Sequence, residues 1–433
     1  MPAANLLNLS ALGAYAVHLI RGGWPDFLPG QSFFSAADFL SCLVMAEAPY
    51  PRPGERRPLV YAHLGDLHIT DAKARNYQDL LLLLAQLQVE CANQLDFEYL
   101  PGDVANNGEP AQYRLVAAAL RLLSVPVHAI SGDHDMQPGS LANFYALPAA
   151  PLPKAVEVRG VRCLFLDMCG PGTGGPDFRL GSAQLAWLRE QLSQLPAGTE
   201  VALFLHTYPA DLRDATERQE LTALLAQYRV ALADMGHTHY NELANDGTTI
   251  FAATRSTCQL EEGPVGYSLV SLDQGVVSWR FKPLDGSFPF VLITAPADYR
   301  LLRHAGQAVG PQFIVRAVVF GANDLASVAY WLGDDGPRLP MQRDAQGMWW
   351  ALATRPAGAG PRLPLTVEAR DTTGRPGRHQ LLLALAPYQA PPRPGAASVG
   401  AWEENSILGT QLGPNRNARP TLAPNLFYSA LDF

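Results

Sequence analysis

An α/β region followed by an all-β region is the fold class this sequence predicts, and three observations carry it. Across residues 58–285, apolar strand-like runs alternate with amphipathic helical stretches. The strands of that stretch run into turns that hold Asp or His. Beyond Pro289 the helical period disappears, and short alternating segments punctuated by Gly, Pro and Asp take over.

At 433 residues the chain is too long for one typical domain. Its texture divides into a helical leader (1–54), a catalytic-type α/β domain (55–288), a β-sandwich (289–388) and a tail (389–433). Hydrophobic residues make up 48%, ample for a sizeable core. The net charge of −8 argues against nucleic-acid binding through a basic face, but not against a small anionic substrate. The cysteines Cys42, Cys91, Cys163, Cys169 and Cys258 are odd in number, form no C-x-x-C pair and lie mostly in apolar runs, which suits a reducing compartment. The stretch Leu12–Ile20 is broken by Gly13, Tyr15 and His18, a poor signal peptide and too short to span a bilayer. A soluble, cytoplasmic protein with no membrane partner is expected.

In order along the chain, Leu9–Ile20 and Ser35–Ala48 read as leader helices, packed on the flank of the main domain or closing over its site. Leu59–Leu64 reads as a strand, Tyr77–Leu95 as a long helix and Phe97–Leu100 as a strand. Glu109–Leu123 follows as a helix and Val125–Ile130 as a strand. Val156–Val158 and Val161–Met168 predict a strand pair turning at Arg159 and Gly160, and Gly170–Gly175 a flexible loop. Ser182–Leu195 predicts a helix capped by Ser182, then Val201–Leu205 a strand, Asp214–Tyr228 a helix and Val230–Met235 a strand. Thr248–Ala253 is a further strand, and Tyr267–Leu272 with Val276–Lys282 reads as a hairpin. The sandwich is expected from Gln312–Phe320, Ser327–Gly333, Met348–Thr354, Pro364–Asp371 and Arg378–Ala386. The apolar tail, with Trp402, Leu426 and Phe427, predicts packing on the body.

The strand ends collect Asp66 and His68, Asp103, Asp133 with His134 and Asp135, His206, and His237 with His239. In α/β sheets ligands bind beyond the carboxyl ends of the strands, so the carboxylates of the first three turns are expected at one edge. Like charges flanking an imidazole, as in Asp133-His134-Asp135, cost free energy unless something compensates them, and a metal ion does so. Carboxylate with imidazole favours zinc, manganese, iron or a similar divalent ion, and two ions need a bridging ligand between two terminal sets. An imidazole left over from ligation would protonate a leaving oxygen. Arg255 and Ser256 are weaker candidates for a phosphate contact, and Asn106 and Asn107 for shaping a turn or approaching substrate.

The blocks Asp66-x-His68, Gly102-Asp103, Gly132-Asp133-His134-Asp135, His206 and Gly236-His237-x-His239 together resemble the ordered signature of the calcineurin-like metallophosphoesterases. The tract Arg179–Leu192 is similar to a helix of the cyclic-nucleotide and glycerophosphodiester phosphodiesterase branch. The resemblance implies a two-sheet αββα sandwich, followed here by an Ig-like all-β sandwich. It implies Asp66, His68, Asp103 and His239 around one metal, Asp103 as a bridge, and Asp133, His206 and His237 around a second. It implies His134 at the substrate phosphate, with Asp135 orienting His134 through a hydrogen bond. Two departures stand out: Asp133 replaces the family's usual Asn, and Thr207 follows His206 where that branch often has a second His.

The expected activity is hydrolysis of a small phosphodiester, cyclic nucleotides included, by hydroxide generated on two divalent ions. A phosphomonoesterase acting on a small metabolite is the nearest rival. A metal-binding scaffold with little catalysis is the rival of another class.

Overall fold

The computed structural model describes residues 56–147, 151–173, 177–258, 264–321 and 324–387. The predicted leader helices, Cys42 and the apolar tail lie outside the described residues.

The first strand, β1 (Leu59–His63), lies beside β2 (Phe97–Leu100), which lies beside β3 (Val127–Ala129), all parallel. A hairpin, β10 (Gly266–Asp273) and β11 (Val276–Pro283), completes the sheet in the order β11-β10-β1-β2-β3. The second sheet is built from β4 (Lys154–Val158), β5 (Val161–Phe165), β6 (Glu200–Phe204), β7 (Leu232–Met235), β8 (Glu242–Asn245) and β9 (Ile250–Ala253). Its order is β4-β5-β6-β7-β9-β8, with β5, β6, β7 and β9 parallel.

Side-chain alternation packs the two sheets face to face. Leu59, Tyr61, Phe97 and Tyr99 point into a core shared with Cys163, Phe165, Phe204 and Leu232. The opposite parity, Val60, Ala62 and Leu100 from one sheet and Leu164, Val201 and Leu203 from the other, meets the helices. These are α1 (Arg75–Gln86), α2 (Pro110–Leu120), α3 (Gly181–Ser193) and α4 (Ala215–Gln227). The expected αββα layering is therefore present.

Helix ends depart from expectation in physical detail. α1 passes into a π turn, Leu87–Cys91, rather than continuing as one α-helix, and both its end residues are buried. α2 opens with Pro110 at its first position and a reciprocal box between Glu109 and Gln112. Ser182 does not cap α3. The amide N–H groups of Leu180 and Gly181 instead donate to the carboxylate of Glu217 on α4, at 2.8 and 3.1 Å. Asp214 caps α4 through Thr216 and Glu217.

Two strands of more than two residues were not expected. β8 reads Glu-Leu-Ala-Asn, with no β-branched residue, and is held by pairing to β9. The run β12 (Phe290–Ala295) is apolar but for Thr294, and periodicity alone does not separate such a run from a buried helix segment. β12 joins β13 (Gln312–Phe320), β17 (Trp349–Thr354) and the short β16 (Gln342–Arg343) in one four-stranded sheet. The short β15 (Leu339–Pro340) with β14 (Leu325–Leu332), β18 (Arg362–Asp371) and β19 (Pro376–Ala384) forms a second. Val291, Val315 and Ala353 of one face Val328, Leu365 and Leu383 of the other, so residues 290–384 are all-β and share one core. A buried ion pair, Arg316 to Asp273 at 2.7 Å, ties β13 to the β10–β11 hairpin. No helix among the described residues is long and apolar enough to cross a membrane.

Candidate metal centre

Parallel pairing puts the carboxyl ends of β1, β2 and β3 side by side, which delivers Asp66 with His68, Asp103, and Asp133 with His134 to one edge. The facing sheet contributes His206 beyond β6, and His237 with His239 beyond β7. The site thus lies across two facing sheet edges.

The backbone is bent to bring these groups inward. His68, Asp103, His237 and His239 all have positive φ, at 41°, 46°, 61° and 59°. Residues with a Cβ rarely adopt this conformation, and it persists where surrounding structure enforces it. Gly132 is required by close approach, since a Cβ there would fall 2.1 Å from Asp103 Oδ1.

Three clusters of these side chains could each hold an ion. They are Asp103-Asp133-His206-His237, His68-Asp103-His134 and Asp66-Asp103-His239, and Asp103 belongs to all three. Asp133 Oδ1 lies 3.1 Å from His206 Nε2 and 3.3 Å from His237 Nδ1. Asp103 Oδ2 lies 3.5 Å from His206 Nε2 and 3.6 Å from His68 Nε2. His206 is fixed from behind, its Nδ1–H donating to the Pro101 carbonyl at 2.8 Å. Asp66 accepts the amide N–H of His237, at 3.0 Å to its nearer oxygen.

The electrostatics divide the imidazoles into two kinds. Burial lowers the pKa of His68 to about 4, against the pull of Asp103, and burial also lowers that of His239. These rings are neutral, the state that ligates a metal. Burial opposes charge on His206 and His237 as well, but Asp103 and Asp133 outweigh it for His206, and Asp133 does so for His237. Asp103 and Asp133 are held below the ordinary carboxylate range, burial notwithstanding, by the imidazoles beside them.

The donor set fits divalent metal ions. His68 and His239 are buried with no hydrogen-bond partner on Nδ1, and their Nε2 atoms are 3.0 Å apart. The adjacent carboxylates favour positive charge, raising the pKa of two buried imidazoles against the effect of burial. Histidine and aspartate together suit zinc, iron or manganese.

Asp135 does not orient His134. Its carboxylate accepts from the amides of Val104, Ala105 and Gly132 and from the Tyr113 hydroxyl, the last at 2.7 Å. It therefore pins the turn after β2 to the turn after β3, and burial raises its pKa to about 6. His134 Nδ1 instead lies 2.6 Å from the carbonyl oxygen of Asn106, and its amide donates to Asp103 Oδ1 at 2.9 Å. Ser256 donates its hydroxyl to the Asp66 carbonyl, while Arg255 is buried with its guanidinium 3.9 Å from the Phe281 ring centre.

Three further contributors carry little sequence signal. Phe178 packs edge-on to His237 with ring centres 4.9 Å apart. Asp167 gathers Ser131 Oγ and the amides of Cys169 and Gly170. Between the sheets, Asp234 accepts from the Tyr61 hydroxyl at 2.5 Å and lies 2.9 Å from His63 Nδ1, bracing the strands that carry Asp66 and His237. Only polar residues inside otherwise apolar strand runs could have flagged the last group.

The calcineurin-like phosphoesterase family profile matches residues 59–241. A cAMP/cGMP dual specificity phosphodiesterase of Mycobacterium tuberculosis is 26% identical over 283 residues, covering 58% of this chain and 87% of that protein. A probable cyclic nucleotide phosphodiesterase of Synechococcus is 30% identical over 198 residues, covering 43% of this chain and 74% of that protein. A probable glycerophosphodiester phosphodiesterase of Arcobacter nitrofigilis is 30% identical over 159 residues, covering 33% of this chain and 56% of that protein. With the ordered Asp and His blocks gathered at facing sheet edges, the chain belongs to the calcineurin-like phosphoesterases and is a metal-dependent phosphoester hydrolase.

Proposed function

We propose that this protein hydrolyses a phosphodiester, with cyclic nucleotides as the leading substrate class, at a centre of two divalent metal ions. The observation that carries the reading is the membership of Asp103 in all three metal-competent clusters, as a shared ligand requires. The relatives named as cyclic nucleotide and glycerophosphodiester phosphodiesterases support the substrate class.

Asp66, His68, Asp103 and His239 would hold one ion and Asp133, His206 and His237 the other. Bound there, the ions would neutralise phosphate charge and lower the pKa of water to supply a nucleophile near neutral pH. The protein's own residues do the rest. His134 donates through Nδ1–H to the Asn106 carbonyl, so its Nε2 is the atom that carries a proton to the leaving oxygen. Asp135 holds both turns rigid, and Phe178 limits water around His237. We divide the chain at residues 54, 288 and 388, read the all-β region as an Ig-like sandwich and, on cysteine usage, assign the protein to the cytoplasm.

The test pairs metal analysis with turnover of bis(p-nitrophenyl) phosphate, p-nitrophenyl phosphate and cyclic AMP. Diester hydrolysis at least tenfold faster than monoester hydrolysis, lost on chelation, is expected. Preference for the monoester would overturn the substrate class. Bound metal with no hydrolysis of any compound would favour a scaffold.

A further inference from the structure

At the opposite ends of the strands from the metal centre, a cavity of about 1060 Å³ opens where β6 and β7 begin. Ligand sites in proteins commonly span roughly 300–1,000 Å³. The charged groups lining it are Arg56, Arg229, Arg303, His304, Glu157 and Glu200. They come from five separate stretches of chain.

Three arginines meet here, with Glu157 and Glu200 in the lining and Asp246 acting on Arg303 from nearby. Burial lowers the pKa of Arg303 against the pull of Glu200 and Asp246, and Arg229 acts in the same direction as burial. Burial also lowers that of His304, where Arg303 and Arg229 act in the same direction. Glu200 compensates in part: burial raises its pKa while Gly275, Arg303 and Arg56 act to lower it, and it already accepts the amide N–H of Gly275. Glu157 is exposed to solvent, as are Arg56, Arg229 and His304. The Arg303 guanidinium is fixed, donating to the carbonyls of Gly275 at 2.8 Å and Thr248 at 3.3 Å, while its Nε has no partner.

The second observation concerns the backbone. Arg229 follows the C-cap of α4 with φ at 51°. Helices end in this conformation mostly on glycine, because a side chain there is strained. The exposed Arg229 makes no ion pair or side-chain hydrogen bond with any described residue. An arginine thus occupies a glycine position, beside two other arginines, with no partner among the described residues to justify it.

From this cluster we infer a second, non-catalytic site that binds a small phosphate-bearing molecule. Arginine is suited to the class, since its planar fork matches phosphate oxygens and its charge does not titrate away. The cavity has room for a nucleotide-sized ligand. Occupancy would offset the mutual repulsion of the cations and link β6 and β7 to the β10–β11 turn, which Arg303 already touches.

The test is isothermal titration of the metal-loaded protein with inorganic phosphate and, separately, with AMP. Two binding events are expected for at least one of the probes. Arg229→Gly should weaken one event at least tenfold and leave the other, at the metal centre, unmoved. The same variant should melt higher than the parent, because glycine adopts this φ freely, so loss of binding would not reflect loss of fold. Arg229→Gln removes the charge and keeps the strain, and should weaken the same event to a similar degree. A single event for both probes in the parent, or two events unmoved by Arg229→Gln, would overturn the proposal.

Discussion

Asp133 accepts from one imidazole and faces a second, and that carboxylate sets how much positive charge the centre must gather. An amide there could still coordinate, but it would contribute no charge. Asp133→Asn is therefore expected to raise the metal concentration for half-saturation about tenfold or more, read by metal titration. His134 stands apart from this balance, because its Nδ1 is already engaged by Asn106. His134→Ala should leave metal content unchanged and lower kcat by about 10²–10⁴-fold. Metal loss alongside activity would move His134 into the ligand set, where its proximity to His68 and Asp103 makes it a candidate. The grouping of Asp and His residues was legible because ligand-type side chains recur in order at strand ends. The partners of His134 and Asp135 were not, because they are backbone carbonyls and amides, which leave no trace in side-chain identity.

At the scale of elements, hidden contacts decide helix ends and sheet edges. Glu217 satisfies two amides at the start of α3 from 37 and 36 positions away, so no local capping signal reveals it. Glu217→Ala should destabilise the protein by about 1–2 kcal/mol in urea unfolding. In the all-β region, His379 on β19 accepts the amide N–H of Ile293 on β12 through Nδ1, at 3.0 Å. Burial holds its pKa well below the usual histidine value. The unfolded chain therefore binds a proton that the folded chain refuses once the pH falls below about 6.5. Stability from this group is complete above that pH and falls as the pH drops. The loss therefore deepens between pH 7 and pH 5. His379→Asn keeps an acceptor that does not titrate, and should flatten this part of the slope in denaturant curves at the two pH values. β8 escaped the sequence for a related reason: its residues have weak strand preference, and pairing with β9 supplies what propensity does not.

For the molecule as a whole, the alternation of strand and helix and its later disappearance made the layered α/β architecture and the all-β region readable in advance. The seam between them was less so, because Arg316 and Asp273 meet across 43 positions of sequence with no local signal. The metal centre also joins two sheets, so removing its ions should loosen their union. At ion concentrations 100-fold above Kd, bound metal stabilises by about 2.7 kcal/mol, and chelation should lower the melting temperature accordingly. An unchanged melting temperature would mean that the loops hold their shape without ions. Those loops keep His68, Asp103, His237 and His239 in left-handed backbone, a conformation costing on the order of 1 kcal/mol at each position. Glycine at any of the four would relieve that cost and remove a side chain of the centre. Selection of variants for heat resistance alone would therefore erode the very residues a screen for turnover would keep, and only the two pressures applied together would preserve a working enzyme.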